Sequence, residues 1–148
     1  MTAAVKRGLS VLVVEDDEVV LNVVRSILSR MGATHIQLAR NGKEALAYFY
    51  ANSNRYDLIV SDWEMPEMDG LALLGKIRAK VPNFPFMMLT ARSAADAVIA
   101  ARKAAVSAYI VKPFTAHDLQ SRVAALIEQI LASSRPGNPE SIADTFEF

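Results

Sequence analysis

At 148 residues the chain has room for one domain with a substantial core and too little for two ordinary ones. Its composition, 52% hydrophobic and 22% charged, is that of a globular chain, and no apolar run reaches the roughly 20 residues that would span a bilayer. Sixteen basic against sixteen acidic side chains create no overall field for nucleic acid, and the absence of cysteine removes disulfides, thiolate metal ligands and cysteine nucleophiles.

Lys6 and Arg7 are not followed by a signal-peptide apolar segment, so the expectation is a cytoplasmic protein without membrane insertion. Leu9 to Val14 is a short apolar run ending at Glu15, Asp16, Asp17 and Glu18, which predicts a buried strand entering a charged turn. Val19, Val20, Val23, Val24, Ile27, Leu28 and Met31 then recur at helical spacing as a core-facing stripe, and Gly32 stops the helix. His35 to Ala39 reads as a second strand; Asn41-Gly42 supplies a turn before a helix carrying Ala45, Leu46 and Phe49. A third strand lies within Asp57 to Ser61, with Asp62 at its end. A loop punctuated by Met65-Pro66 and Asp69-Gly70 leads to a helix with Leu71, Leu74, Ile77 and Val81 on one face.

Phe86 to Leu89 is a fourth strand ending at Thr90, and an alanine-rich helix is expected from about Ala94 to Ala104. Ala108 to Val111 forms a fifth strand ending at Lys112-Pro113. Thr115 and Asp118 make a variant capping box that opens a last helix with Leu119, Val123, Leu126, Ile127 and Ile130. Five strands alternating with five helices call for a doubly wound α/β fold, a parallel sheet covered on both faces. Ligands of such sheets bind at the carboxyl ends of the strands, where Glu15/Asp16, Asp62, Thr90 and Lys112 would converge.

Those residues suit one chemistry. Mg²⁺ takes hard oxygen ligands, which Asp16, Asp62, Glu15 and the backbone carbonyl of Glu64 can supply. Asp62 is the candidate nucleophile toward phosphorus, Lys112 the cation opposite the metal, and Thr90 a hydroxyl donor to phosphoryl oxygens. Each has an ordinary alternative when taken alone: a strand-end Asp commonly caps a turn, Glu15 to Glu18 could be a solvated acidic helix start, and Lys112 could be a surface lysine. His35 and His117 fall outside any ligand spacing, and the glycines form no phosphate-cradling loop, so ATP is not the expected direct substrate.

Val13-Val14-Glu15-Asp16, Ser61-Asp62-Trp63-Glu64-Met65-Pro66-Glu67-Met68-Asp69-Gly70, Leu89-Thr90-Ala91 and Tyr109-Ile110-Val111-Lys112-Pro113-Phe114 together resemble the receiver domains of response regulators, especially the single-domain chemotaxis type called CheY. The resemblance covers residues 9–131 and implies a flavodoxin-like (βα)5 domain with strand order 2-1-3-4-5, leaving 132–148 as a C-terminal tail. It implies Glu15 and Asp16 as the acidic pair, Asp62 as the phosphorylated aspartate, Thr90 and Tyr109 as switch residues, Lys112 as the lysine of the site and a cis Lys112-Pro113 bond. Mg²⁺ is the implied cofactor, and the implied donor is a histidine kinase or histidine phosphotransfer protein.

The implied output is a downstream signalling protein bound at a face of the fourth helix, fifth strand and last helix. A phosphorylation-dependent homodimer through that face is left open. Glu64 and Arg92 are charged residues two positions beyond Asp62 and Thr90, where similar positions in the family border the route of attacking water; the resemblance implies that they modulate the kinetics, by pairing with each other or by redirecting that water, and the lifetime of the phosphorylated state does not carry over from the family. Ala105 and Ser107 stand where the family often has glycine and another small residue. The leading reading is a phosphorylation switch with self-catalysed phosphorylation and dephosphorylation. A phosphate sink or relay intermediate, and a phosphorylation-independent docking module, are the alternatives. In the tail, Phe146 and Phe148 are candidates to dock on the domain or on a partner.

Overall fold

A computed structural model of the chain describes residues 8–91, 95, 96, 99 and 105–133. Strands β1 (Leu9–Val14), β2 (Ala33–Ala39), β3 (Leu58–Asp62), β4 (Phe86–Thr90) and β5 (Ala108–Val111) form one parallel sheet in the order β2-β1-β3-β4-β5. Helices α1 (Glu18–Arg30), α2 (Gly42–Ala51), α3 (Gly70–Lys80) and α4 (Ala116–Ser133) supply crossovers and cover. The expected flavodoxin-like doubly wound architecture is therefore present. Of the helix expected over 94–104, only Ala95, Asp96 and Ile99 are described, all helical; Arg92 and residues 134–148, with Phe146 and Phe148, lie outside the described residues.

Alternation along the strands divides the core between two faces. Leu12, Val14, Ile59, Phe86 and Met88 pack with Phe49 of α2 and Leu73 of α3, whereas Val11, Val13, Val60, Met87 and Leu89 pack with Val24 of α1 and Leu119 of α4. Five-residue β3 and β4 are buried throughout, as sheet strands covered on both sides must be.

The helix boundaries follow local chemistry. Asp17 caps α1 by accepting from the Val19 and Val20 amides, Asn41 caps α2 through the Glu44 amide, and Asp69 caps α3 through Ala72. At α4 the capping box is reciprocal: the Thr115 amide donates to Asp118 Oδ2 and the Asp118 amide to Thr115 Oγ1, both at 3.0 Å.

Several expectations need correction. The α1 stripe does not include Val19 and Val23, which are 72% and 46% exposed, while Leu21 is buried. Valine and leucine nearly encircle the first turns of this helix, so spacing alone could not select the inward face. In α3, Leu73 joins Leu74 and Ile77 inside, Leu71 is only half-buried, and Val81 is the C-cap. Strand β2 begins at Ala33, directly after Gly32 at φ 98°, and a short 3-10 turn at Ser53–Arg55 precedes β3.

Position 105 shows why glycine suits it: Ala105 sits at φ 57°, a region that strains residues carrying a Cβ. Arg78 of α3 reaches across to hold this turn, donating to the carbonyls of Ala105 and Phe84 and to Ser107 Oγ at 3.2 Å. Ser107 Oγ in turn accepts the Phe86 amide at 3.0 Å, so the small residue there ties α3, β4 and the entry to β5 together.

Candidate functional site

Each residue expected at the site sits where its strand runs out, and backbone hydrogen bonds extend the sheet just past those ends. The Glu15 amide donates to the Ala39 carbonyl at 3.0 Å, Trp63 to Leu89 at 2.7 Å and Lys112 to Thr90 at 2.6 Å. Their side chains consequently emerge from rigid backbone at one edge of the sheet.

Glu15, Asp16 and Asp62 each offer a carboxylate oxygen within 4.8 Å of the others. Glu15 and Asp62 are buried and Asp16 is exposed, so the cluster opens to solvent on one side. Lys112 Nζ stands 2.7 Å from Glu15 Oε1 and 3.3 Å from Asp62 Oδ1. The site thus spans a sequence separation of 97 residues between Glu15 and Lys112. The Lys112-Pro113 peptide is cis.

Two carboxylates compete for one ammonium, and the acid equilibria reflect it. Burial pushes Glu15 up to about 7; its hydrogen bond to Lys112 opposes the rise, and the hydrogen bond and negative charge of Asp62 add to it. Burial pulls Lys112 down, but its hydrogen bond to Glu15 and the charges of Asp62 and Glu15 outweigh that pull, so it is held above the ordinary lysine value and stays charged. A divalent cation fits this donor set: the ligands are hard oxygens from two strands, and the open side by Asp16 admits water to complete a shell. The side chains of Glu15, Asp16 and Asp62 would hold it.

Thr90 is fully buried at the end of β4, and its hydroxyl donates to Glu64 Oε1 at 3.4 Å. Tyr109 is half-buried on β5, paired with Met88, and occupies the same face of the sheet as Thr90, which pairs with Val111. The hydroxyl and the aromatic ring therefore lie on neighbouring strands two positions apart. Lys112 also walls an apolar groove of about 420 Å³ together with Val19, Val23, Ala91 and Phe114.

Two structural supports of the site lay outside the sequence reading. Gly70 abuts the acceptor strand: its amide donates to the Trp63 carbonyl at 2.8 Å, and a Cβ there would stand 2.6 Å from the Asp62 carbonyl oxygen. Trp63 is completely buried beside Asp62, anchoring the strand exit in the core. Asp69-Gly70 announced a turn and a helix start, but nothing local announced contact with β3.

Comparison with known proteins agrees with this geometry. The family model for the response regulator receiver domain matches residues 11–124. Over 124 residues the chain is 33% identical to the chemotaxis protein CheY of Pseudomonas aeruginosa, covering 82% of this chain and 98% of that one. It is also 33% identical over 132 residues to CheY-3 of Vibrio cholerae, covering 88% and 100%. Among solved structures, the receiver domain of Francisella response regulator 1452 matches with a TM-score of 0.72 at 35% identity, covering 82% of this chain and 98% of that one. CheY in the CheX-CheY-BeF3-Mg complex from Borrelia burgdorferi matches with a TM-score of 0.75 at 25% identity, covering 80% and 89%.

The chain belongs to the response-regulator receiver family. Within that family it is a CheY-like domain, which places it in two-component signalling with phosphoryl acceptance as its basic chemistry. The acidic cluster matches the family's use of Mg²⁺. Among the described residues, no helix is long and apolar enough to cross a membrane.

Proposed function

We propose that the protein is a phosphorylation switch whose acceptor is Asp62, charged by a phosphohistidine on a histidine kinase or phosphotransfer protein and read by a downstream signalling protein. The observation that carries this reading is the placement of Lys112 Nζ against the two buried acids, Glu15 and Asp62, of a three-carboxylate cluster whose third member, Asp16, is exposed. A site that must accept a phosphoryl group needs a cation beside the acceptor carboxylate, a cluster of oxygen ligands and access from water, and all three meet at Asp62.

Asp62 is the nucleophile. A carboxylate oxygen forms a bond to phosphorus as the donor's bond to phosphorus breaks, and the donor keeps that electron pair. Lys112 compensates negative charge on one phosphoryl oxygen, and the Thr90 hydroxyl donates to another. When bound, Mg²⁺ supplies neutralisation of the acceptor and phosphoryl charges. Water attacking phosphorus later releases inorganic phosphate and restores the carboxylate. Loss of the Thr90 hydroxyl to the phosphoryl group opens space toward which Tyr109 turns, changing the β5 face.

The apolar groove beside Lys112 supports approach of a protein donor, since Val19 and Val23 are exposed at its rim and desolvating them would seat the donor next to Asp62. A phosphate sink or relay would use the same acceptor without a state-dependent partner. Incubation with Mg²⁺ and a small phosphodonor tests the acceptor: uptake lost in Asp62→Ala supports it, and uptake undiminished in that variant overturns it. Partner capture with and without a phosphoryl mimic then separates switch from sink.

A further inference from the structure

Thr90 has one hydroxyl proton and therefore one hydrogen bond to donate at a time. In the resting protein Glu64 Oε1 stands 3.4 Å from that hydroxyl as an acceptor. We propose that Glu64 is a resting-state latch on Thr90, its carboxylate holding the hydroxyl that a phosphoryl group on Asp62 must recruit. This deepens the reading of Asp62 as acceptor and rests on it.

The local structure makes Glu64 suited to the task. Its chain neighbours Trp63 and Met65 are both buried, and the Trp63 amide is fixed to the Leu89 carbonyl at 2.7 Å, so the backbone of Glu64 is pinned at a set offset from the end of β4. Glu64 itself is exposed, so a rotamer change would carry its carboxylate away from Thr90 and toward water. At 3.4 Å the contact is longer than an ordinary O–H···O hydrogen bond, so a phosphoryl oxygen at ordinary distance is the better acceptor. A phosphoryl group on Asp62 would act on the latch twice, competing for the same proton and repelling the Glu64 carboxylate. The device is thus an exchange of acceptors on a single buried hydroxyl, set by the residue two positions after the acceptor aspartate.

Beryllium trifluoride with Mg²⁺ serves as the phosphoryl stand-in, and Trp63, the single tryptophan and the immediate neighbour of Asp62, as the fluorescent reporter. Glu64→Ala is expected to tighten apparent binding about 2- to 5-fold, the lower half of what one hydrogen bond contributes. Removing a negative charge could do this without Thr90, so the same substitution is made in Thr90→Ala and Thr90→Ser backgrounds. The latch predicts a clearly smaller gain with alanine and a preserved gain with serine. An equal gain in all three backgrounds reduces Glu64 to plain charge repulsion and overturns the proposal.

A second measurement is independent of Asp62 chemistry. In the resting, metal-free protein, Glu64→Ala should shift the Thr90 γ-methyl resonance as the hydroxyl reorients; an unmoved resonance overturns the latch. If wild type and Asp62→Ala respond alike to the stand-in, it is the acceptor reading that fails, and the methyl measurement still decides the resting contact.

Discussion

Gly70→Ala places a methyl group where the first residue of α3 meets the acceptor strand. The added carbon would stand 2.5 Å from Met88 Sδ, 2.6 Å from the Asp62 carbonyl oxygen and 2.9 Å from Trp63 Cα. Met88 can swing its sulfur aside, but Asp62 and Trp63 present backbone, already fixed by the bonds from Gly70 to the Trp63 carbonyl and from Trp63 to the Leu89 carbonyl. Carbon and oxygen need more than 3 Å, so the start of α3 must retreat by several tenths of an ångström from β3. Overpacking of this kind costs about 1–3 kcal/mol. Alanine returns at most about 1 kcal/mol of helix propensity, less at a first helical position. The net loss is about 1–2 kcal/mol, and with a urea slope near 2 kcal/mol/M it lowers the unfolding midpoint by about 0.5–1 M. Trp63 fluorescence in urea reads it. Because the clash is with Asp62 itself, uptake of a phosphoryl group should fall with stability. A variant as stable as the parent would refute the packing argument.

Thr115→Ala removes one arm of the capping box while leaving the site untouched, and should lower stability by about 1 kcal/mol in the same urea titration. His35 accepts from Arg55 Nε at 2.9 Å, and burial followed by the Arg55 charge holds it below the ordinary histidine value. Its proton NMR titration should therefore fall below about 6.5 and move upward in Arg55→Ala. Because the unfolded chain binds that proton more readily, this pair's contribution is complete above about pH 6.5 and declines as the pH falls below it. Val23→Asp, at a position 46% exposed, should change stability by less than about 0.5 kcal/mol. In kinetic assays it should slow uptake from a phosphohistidine protein more than uptake from a small donor; equal effects would remove the groove from donor docking.

Where a single local rule sufficed, the sequence was readable. The apolar run closed by Glu15, the Asp62 strand end, the Lys112-Pro113 exit and the Thr115/Asp118 cap each concern residues adjacent in the chain, and each lies where spacing put it. Sheet order came from the family resemblance, because alternation of strands and helices specifies a parallel sheet without ordering it. Misreadings arose where identity alone does not choose a direction. Val19 and Val23 are as apolar as Val24, and only the fit of α1 against β1 and α4 decides that Leu21 turns inward. Gly70 and Ser107 carry contacts between segments far apart in sequence, which no local pattern encodes. The Thr90–Glu64 contact is of the same kind: the sequence placed both residues near the site without joining them.

Asp62 is the proposed carrier of the phosphoryl group. The most direct measurement of this role is peptide mapping by mass spectrometry after Mg²⁺-dependent phosphorylation and reductive trapping of the acyl phosphate with borohydride, which converts the modified aspartate to homoserine. Conversion is expected at position 62 alone, dependent on Mg²⁺ and strongly reduced in Lys112→Ala. Conversion at Asp16, Asp17 or another carboxylate in the wild-type chain, with position 62 untouched, would contradict it.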